Sequence, residues 1–127
     1  MDMKHYLPTF MLLSSILSVS CTKELKYTKE ELLKLAQSAD SSVTVILPKT
    51  MADGVQCTDY SQGCLSAHIV KVKNLELIAV EFMTEADALY AAKKFRGFYI
   101  RNWLLDDVTG EPELEKFVTD HLQAKKP

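Results

Sequence analysis

The stretch Leu75 to Arg101, LELIAVEFMTEADALYAAKKFRGFYIR, decides the reading of the fold. In its first part Ile78, Val80 and Phe82 alternate with Leu77 and Ala79, the period-two pattern of a strand over 75–82. Thr84 then stands where a helix N-cap belongs. Ala88, Ala91, Ala92 and Phe95 recur at three- and four-residue steps, so the spacing predicts a helix over 85–96 with Gly97 as its stop. Phe98 to Leu105 reads as one further strand, closed by the turn residues Asp106, Asp107, Thr109 and Gly110.

Working outward, Ala67 to Val72 is a second apolar run, joined to 75–82 through Lys73-Asn74 as a hairpin. Val43 to Leu47 is a β-branched strand stopped by Pro48, and Lys49 to Gly63 reads as a loop. Thr28-Lys29-Glu30-Glu31 is a capping box in front of a helix over 29–39 that carries Leu32, Leu33, Leu35 and Ala36. Pro112 suits the first turn of a last helix, striped by Leu114, Phe117, Val118 and Leu122. The order α-β-loop-β-β-α-β-α makes this an α+β chain. We expect a ferredoxin-like antiparallel sheet, βαββαβ with its first crossover helix shrunken, with helices on one face and extra N- and C-terminal helices.

Positions 75–101 resemble the second half of an RNA-recognition motif, in which strand, Thr-capped helix with spaced alanines, Gly and Ile recur in that order. The resemblance covers about a quarter of residues 21–127 and implies fold, not activity. RNA-recognition domains stack bases on aromatic side chains of their first and third strands, whereas the matching positions here are Thr44, Leu77 and Ala79. The same segment is similar to the second half of sporulation-related-repeat (SPOR) domains. That resemblance implies peptidoglycan as a partner, although the first-half pattern of the family is not found in 43–66.

Compartment is read from the N-terminus. Lys4 and His5 precede an apolar run, Tyr6 to Val19, of 14 residues, too short to span an apolar bilayer core of about 30 Å as a helix. Ser18-Val19-Ser20-Cys21 closes it with small residues. The pattern reads as a secretory signal peptide over 1–20. With a cysteine at the first mature position it resembles a bacterial lipoprotein signal, which implies that the Cys21 thiol is lipidated. An ordinary signal peptide cut near the same place, giving a plain secreted periplasmic protein, is the alternative. Thr22 after the cysteine, rather than Asp, resembles lipoproteins of the outer membrane. The expected organisation is signal peptide 1–20, tether 21–27 and one α+β domain 28–127.

With Cys21 assigned to lipid, Cys57 and Cys64 remain to form a disulfide outside the cytoplasm. Their spacing fits neither a C-x-x-C redox motif nor the usual zinc knuckle. The chain is 47% hydrophobic and 25% charged with a net charge of −2, which argues against nucleic acid as a partner, since such binding neutralises phosphate. No catalytic constellation, cofactor or metal site is expected. His68 is in phase with Val70 and Val72 and reads as a hydrogen-bonded strand residue. His121 reads as a cation complementing a helix C-terminus, and Asp106, Asp107 and Glu111 read as a solvated turn. One surface stands out: Leu77, Tyr99, Arg101 and Trp103 are expected on the sheet face away from the central helix, with Ile100 and Leu104 facing inward. Either a terminal amphipathic helix covers that face, or it is open to a partner. The expected function is a lipid-anchored cell-envelope protein with a non-catalytic binding or structural role, meeting the membrane, an envelope protein or peptidoglycan.

Overall fold

The computed structural model describes residues 24–127; the signal-like stretch, Cys21 and Thr22 lie outside them. The capping box forms as read: the Thr28 amide donates to Glu31 Oε1 at 2.8 Å, and the Glu31 amide donates to Thr28 Oγ1 at 3.1 Å. It starts helix α1, Lys29–Ala39. Strand β1, Thr44–Ile46, follows, and two 3-10 turns, Met51–Asp53 and Cys57–Asp59, lie in the long loop. Strand β2, Cys64–Val72, pairs with β3, Leu75–Phe82, through the hairpin at Lys73 and Asn74, where Lys73 takes φ 58°.

Helix α2, Glu85–Phe95, is capped by Thr84, whose Oγ1 accepts from the Asp87 amide at 3.1 Å. Glu85 and Asp87 in its first turn and Lys93 and Lys94 in its last suit the helix dipole. The left-handed stop expected at Gly97 falls instead on Arg96, with φ 58°. Gly97 serves close packing: a Cβ there would stand 2.8 Å from both Leu104 Cδ1 and the Leu105 carbonyl oxygen.

The single strand expected over 98–105 is two. Strand β4, Phe98–Ile100, and strand β5, Trp103–Asp106, form a tight hairpin, with Arg101 at φ 51°. The apolar run continues across the turn, so periodicity hides the reversal. Helix α3, Pro112–His121, closes the fold.

The sheet is antiparallel throughout, in the order β1-β2-β3-β5-β4. The α+β class is as expected, but the order departs from the βαββαβ plan. There the first two strands flank a helical crossover; here β1 and β2 are direct neighbours, Val45 opposite Val70. Only the later part keeps a split crossover: β3 leads through α2 to β4, and β5 inserts between them.

Helices cover both faces, not one. On one side Ala88, Ala91 and Ala92 of α2 pack on Val80, Phe82 and Leu104. On the other, Leu32 and Ala36 of α1 and Leu114, Phe117 and Val118 of α3 bury Leu77, Ala79, Ile100, Trp103 and Leu105. The β4 edge is capped by the chain's own C-terminal segment. The Tyr99 amide donates to the Lys125 carbonyl at 2.9 Å, and the Lys125 amide donates back at 2.8 Å. That pairing blunts an edge that would otherwise invite a further strand.

Candidate functional site

The face proposed for partners is the place to begin. Trp103 and Leu77 do share a face, but it is roofed by α1 and α3, leaving them 1% and 3% exposed. Of the two readings of that face, coverage by terminal amphipathic helices is the one realised, and Leu77 and Trp103 offer no open binding surface. Tyr99 is corrected as well. Because the hairpin turns at Arg101 and Asn102, Tyr99 pairs with Leu104 and packs on the α2 side, while Ile100 pairs with Trp103. Arg101 is in the turn, its guanidinium carbon 4.0 Å from the centre of the Tyr27 ring.

Residues 24–27, read as tether, touch the body. The Tyr27 amide donates to Asn102 Oδ1 at 2.8 Å, and the Trp103 indole donates to the Tyr27 carbonyl at 2.8 Å. Asn102, 2% exposed, also donates from Nδ2 to the Phe82 carbonyl at 3.3 Å. A buried amide of this kind is stable only when partnered. Sequence reasoning missed Asn102 because a lone Asn inside an apolar run gives no spacing signal. Only recognition of the Arg-Asn turn would have found it.

Between α1 and the β1–β2 side of the sheet runs a narrow apolar slot of about 30 Å³, lined by Leu32, Leu33, Val45, Val70 and Leu77 among others. That is room for the tip of one aliphatic side chain. Lys29 and His68 border it too, but its lining is almost wholly apolar, and it is far smaller than the roughly 300 Å³ at which ligand sites begin.

His68 also belongs to a chain of polar side chains on β2 and β3. Ser66 Oγ donates to Glu81 Oε1 at 3.2 Å, and His68 Nε2 is 3.1 Å from Ser66 Oγ. The serine has one proton and the carboxylate only accepts, so His68 must donate from Nε2, leaving Nδ1 as its acceptor. Burial first, then the charge of Lys29, pushes the His68 pKa below its ordinary 6.5, against the opposing pull of Glu81 and Glu30. The imidazole is therefore neutral near pH 7, with its proton pointing at the serine. In that polarity it cannot take the Ser66 proton, the reverse of a serine nucleophile with a histidine base. Of the three, only His68 also borders the slot.

The remaining residues fall outside this site. Cys57 and Cys64 form a disulfide, with Cα atoms 5.5 Å apart. Nearby, the Tyr60 hydroxyl donates to Asp106 Oδ2 at 2.8 Å and its ring meets Phe95 edge-on at 5.1 Å, pinning the long loop to α2 and β5. Burial and the Asp106 hydrogen bond raise the Tyr60 pKa, and burial followed by the Asp106 charge raises that of Asp107. His121 is exposed at the end of α3, against the Phe117 ring at 5.4 Å. Among the described residues no group of three or more His, Cys, Asp or Glu is placed to hold a metal ion. No helix among them is long and apolar enough to cross a membrane. No protein-family model matches the chain, and no curated protein or solved structure matches it either.

Proposed function

We propose that the chain is exported, that Cys21 carries a lipid, and that the body it tethers at the cell envelope works by binding or as a structural part, without catalysis. The observation that carries this reading is the Cys57–Cys64 disulfide. Such bonds persist in oxidising compartments, and with two cysteines paired the third, Cys21, is the one that the N-terminal pattern assigns to lipid. Thr22 favours the outer membrane, with the body facing the periplasm or the exterior. The non-catalytic half draws on the polarity of the His68–Ser66–Glu81 chain.

Replacing Cys21→Ala in the full chain tests the proposal. Incorporation of labelled fatty acid and partitioning into the detergent phase should both be lost, and undiminished labelling would refute lipidation at that thiol. A fully soluble product that keeps its disulfide would favour plain secretion to the periplasm. Peptidoglycan binding of the SPOR kind is the weaker reading, because the sheet face away from α2 lies under α1 and α3. Retention on purified sacculi would restore it.

A further inference from the structure

From the positions of the exposed apolar side chains we propose that one end of the sheet rests on the phospholipid surface that holds the anchor; the inference rests on the lipid-anchor reading. The end in question is where Cys64 pairs with Phe82 and where the Arg101–Asn102 turn meets Phe82, whose amide donates to the Asn102 carbonyl at 2.8 Å. The opposite end carries the Lys73–Asn74 hairpin.

Two independent observations converge on this rim. The first is where the N-terminal chain arrives. Glu24 Oε2 accepts from the Glu85 amide at 2.7 Å, at the start of α2, and Tyr27 is clasped by Asn102 and Trp103. Cys21 precedes Glu24 by three residues, and three residues reach at most about 11 Å. A lipid on Cys21 therefore leaves no long leash: the bilayer surface lies within that distance of the rim.

The second is the distribution of apolar exposure. Of the five large hydrophobics left exposed among the described residues, Leu25, Leu65 and Met83 are on this rim, 63%, 55% and 55% exposed. Leu65 is the bulged residue after Cys64, and the Met83 amide donates to the Gly63 carbonyl at 2.8 Å, which places the two side by side. Leu25 lies between the docked Glu24 and Tyr27. Leu47 and Tyr90 lie elsewhere, on the β1 edge and in the middle of α2. Strands spaced about 4.8 Å apart spread these side chains over a rim on the order of 14 Å from β2 to β4. Three apolar side chains spread along a rim that also carries Glu24, Glu85 and Arg101 suit a lipid surface with polar headgroups more than a pocketed ligand.

The test uses the full lipidated chain in phosphatidylethanolamine–phosphatidylglycerol vesicles carrying a nitroxide-labelled headgroup lipid. Trp103 is the only tryptophan. It pairs with Glu81, next to the rim, and its indole is bonded to Tyr27, so its emission reports contact with the bilayer. We expect quenching in the wild type. Quenching should be lost in the triple variant Leu25→Asn, Leu65→Asn, Met83→Asn, with lipid attachment and vesicle retention unchanged. Met83→Asn alone, at an exposed position, should give a partial loss if the triple variant folds poorly. A lipidated, vesicle-bound wild type with unquenched Trp103, or variants quenched as strongly as the wild type, would overturn the rim contact and leave the anchor standing. A chain bearing no lipid on Cys21 would sink both.

Discussion

Asn102 does more for this molecule than its place in an apolar run suggests. Its side chain ties the incoming N-terminal segment to the end of β3, and its backbone carbonyl accepts from Phe82. Asn102→Ala leaves the buried Phe82 carbonyl without that donor and the Tyr27 amide without its acceptor. It should lower stability by about 1–3 kcal/mol, read by urea unfolding, and speed hydrogen exchange at the Tyr27 amide. An unchanged midpoint with a protected Tyr27 amide would contradict the clasp. His68 offers a second test at the same scale. Its folded pKa lies below the unfolded value, so the unfolded chain binds the proton more readily. Its contribution is fully present above about pH 6.5 and is lost as pH falls below that value. Wild-type protein should lose more stability than His68→Gln between about pH 7.5 and pH 5, and parallel losses would contradict the buried neutral imidazole.

At the scale of elements, the segment between β1 and β2 is the long loop read from the sequence, and the Cys57–Cys64 bond with the Tyr60–Asp106 hydrogen bond holds it in place. Closing that short loop should stabilise the fold by about 2–3 kcal/mol in the chain-entropy model. The paired variant Cys57→Ser, Cys64→Ser should lower the urea midpoint accordingly while α2 and the sheet stay folded. No change on removing the bond would show that the loop is held without it. The helices with strong local signals were legible: the capping box started α1 at Lys29, Thr84 started α2 and Pro112 started α3. The β4–β5 hairpin was not legible, because its two-residue turn uses Arg101 and Asn102 instead of Gly and leaves the apolar pattern unbroken. One hidden reversal then placed Tyr99 and Ile100 on the wrong faces.

For the whole molecule, the sequence carried the α+β class but not the strand order, since strand neighbours depend on pairings that a one-dimensional pattern does not encode. The same limit applied to the face holding Leu77 and Trp103. Amphipathic stripes on α1 and α3 showed that each must bury something, and only the tertiary arrangement showed what. The polar chain of Ser66, His68 and Glu81 joins β2 to β3 through the Ser66–Glu81 pair, so no local spacing revealed it. What remains is an antiparallel sheet packed by helices on both faces, with its N-terminal chain clasped at one end and its long loop stapled by a disulfide. The account of its function turns on the state of the cysteines, and intact-mass analysis tests this most directly. The protein is taken from membranes of bacteria expressing the full chain, without reductant. We predict a product that begins at Cys21, carries lipid on that residue and lacks the hydrogens removed by one Cys57–Cys64 bond. A product retaining all 127 residues with every cysteine as a free thiol would contradict it.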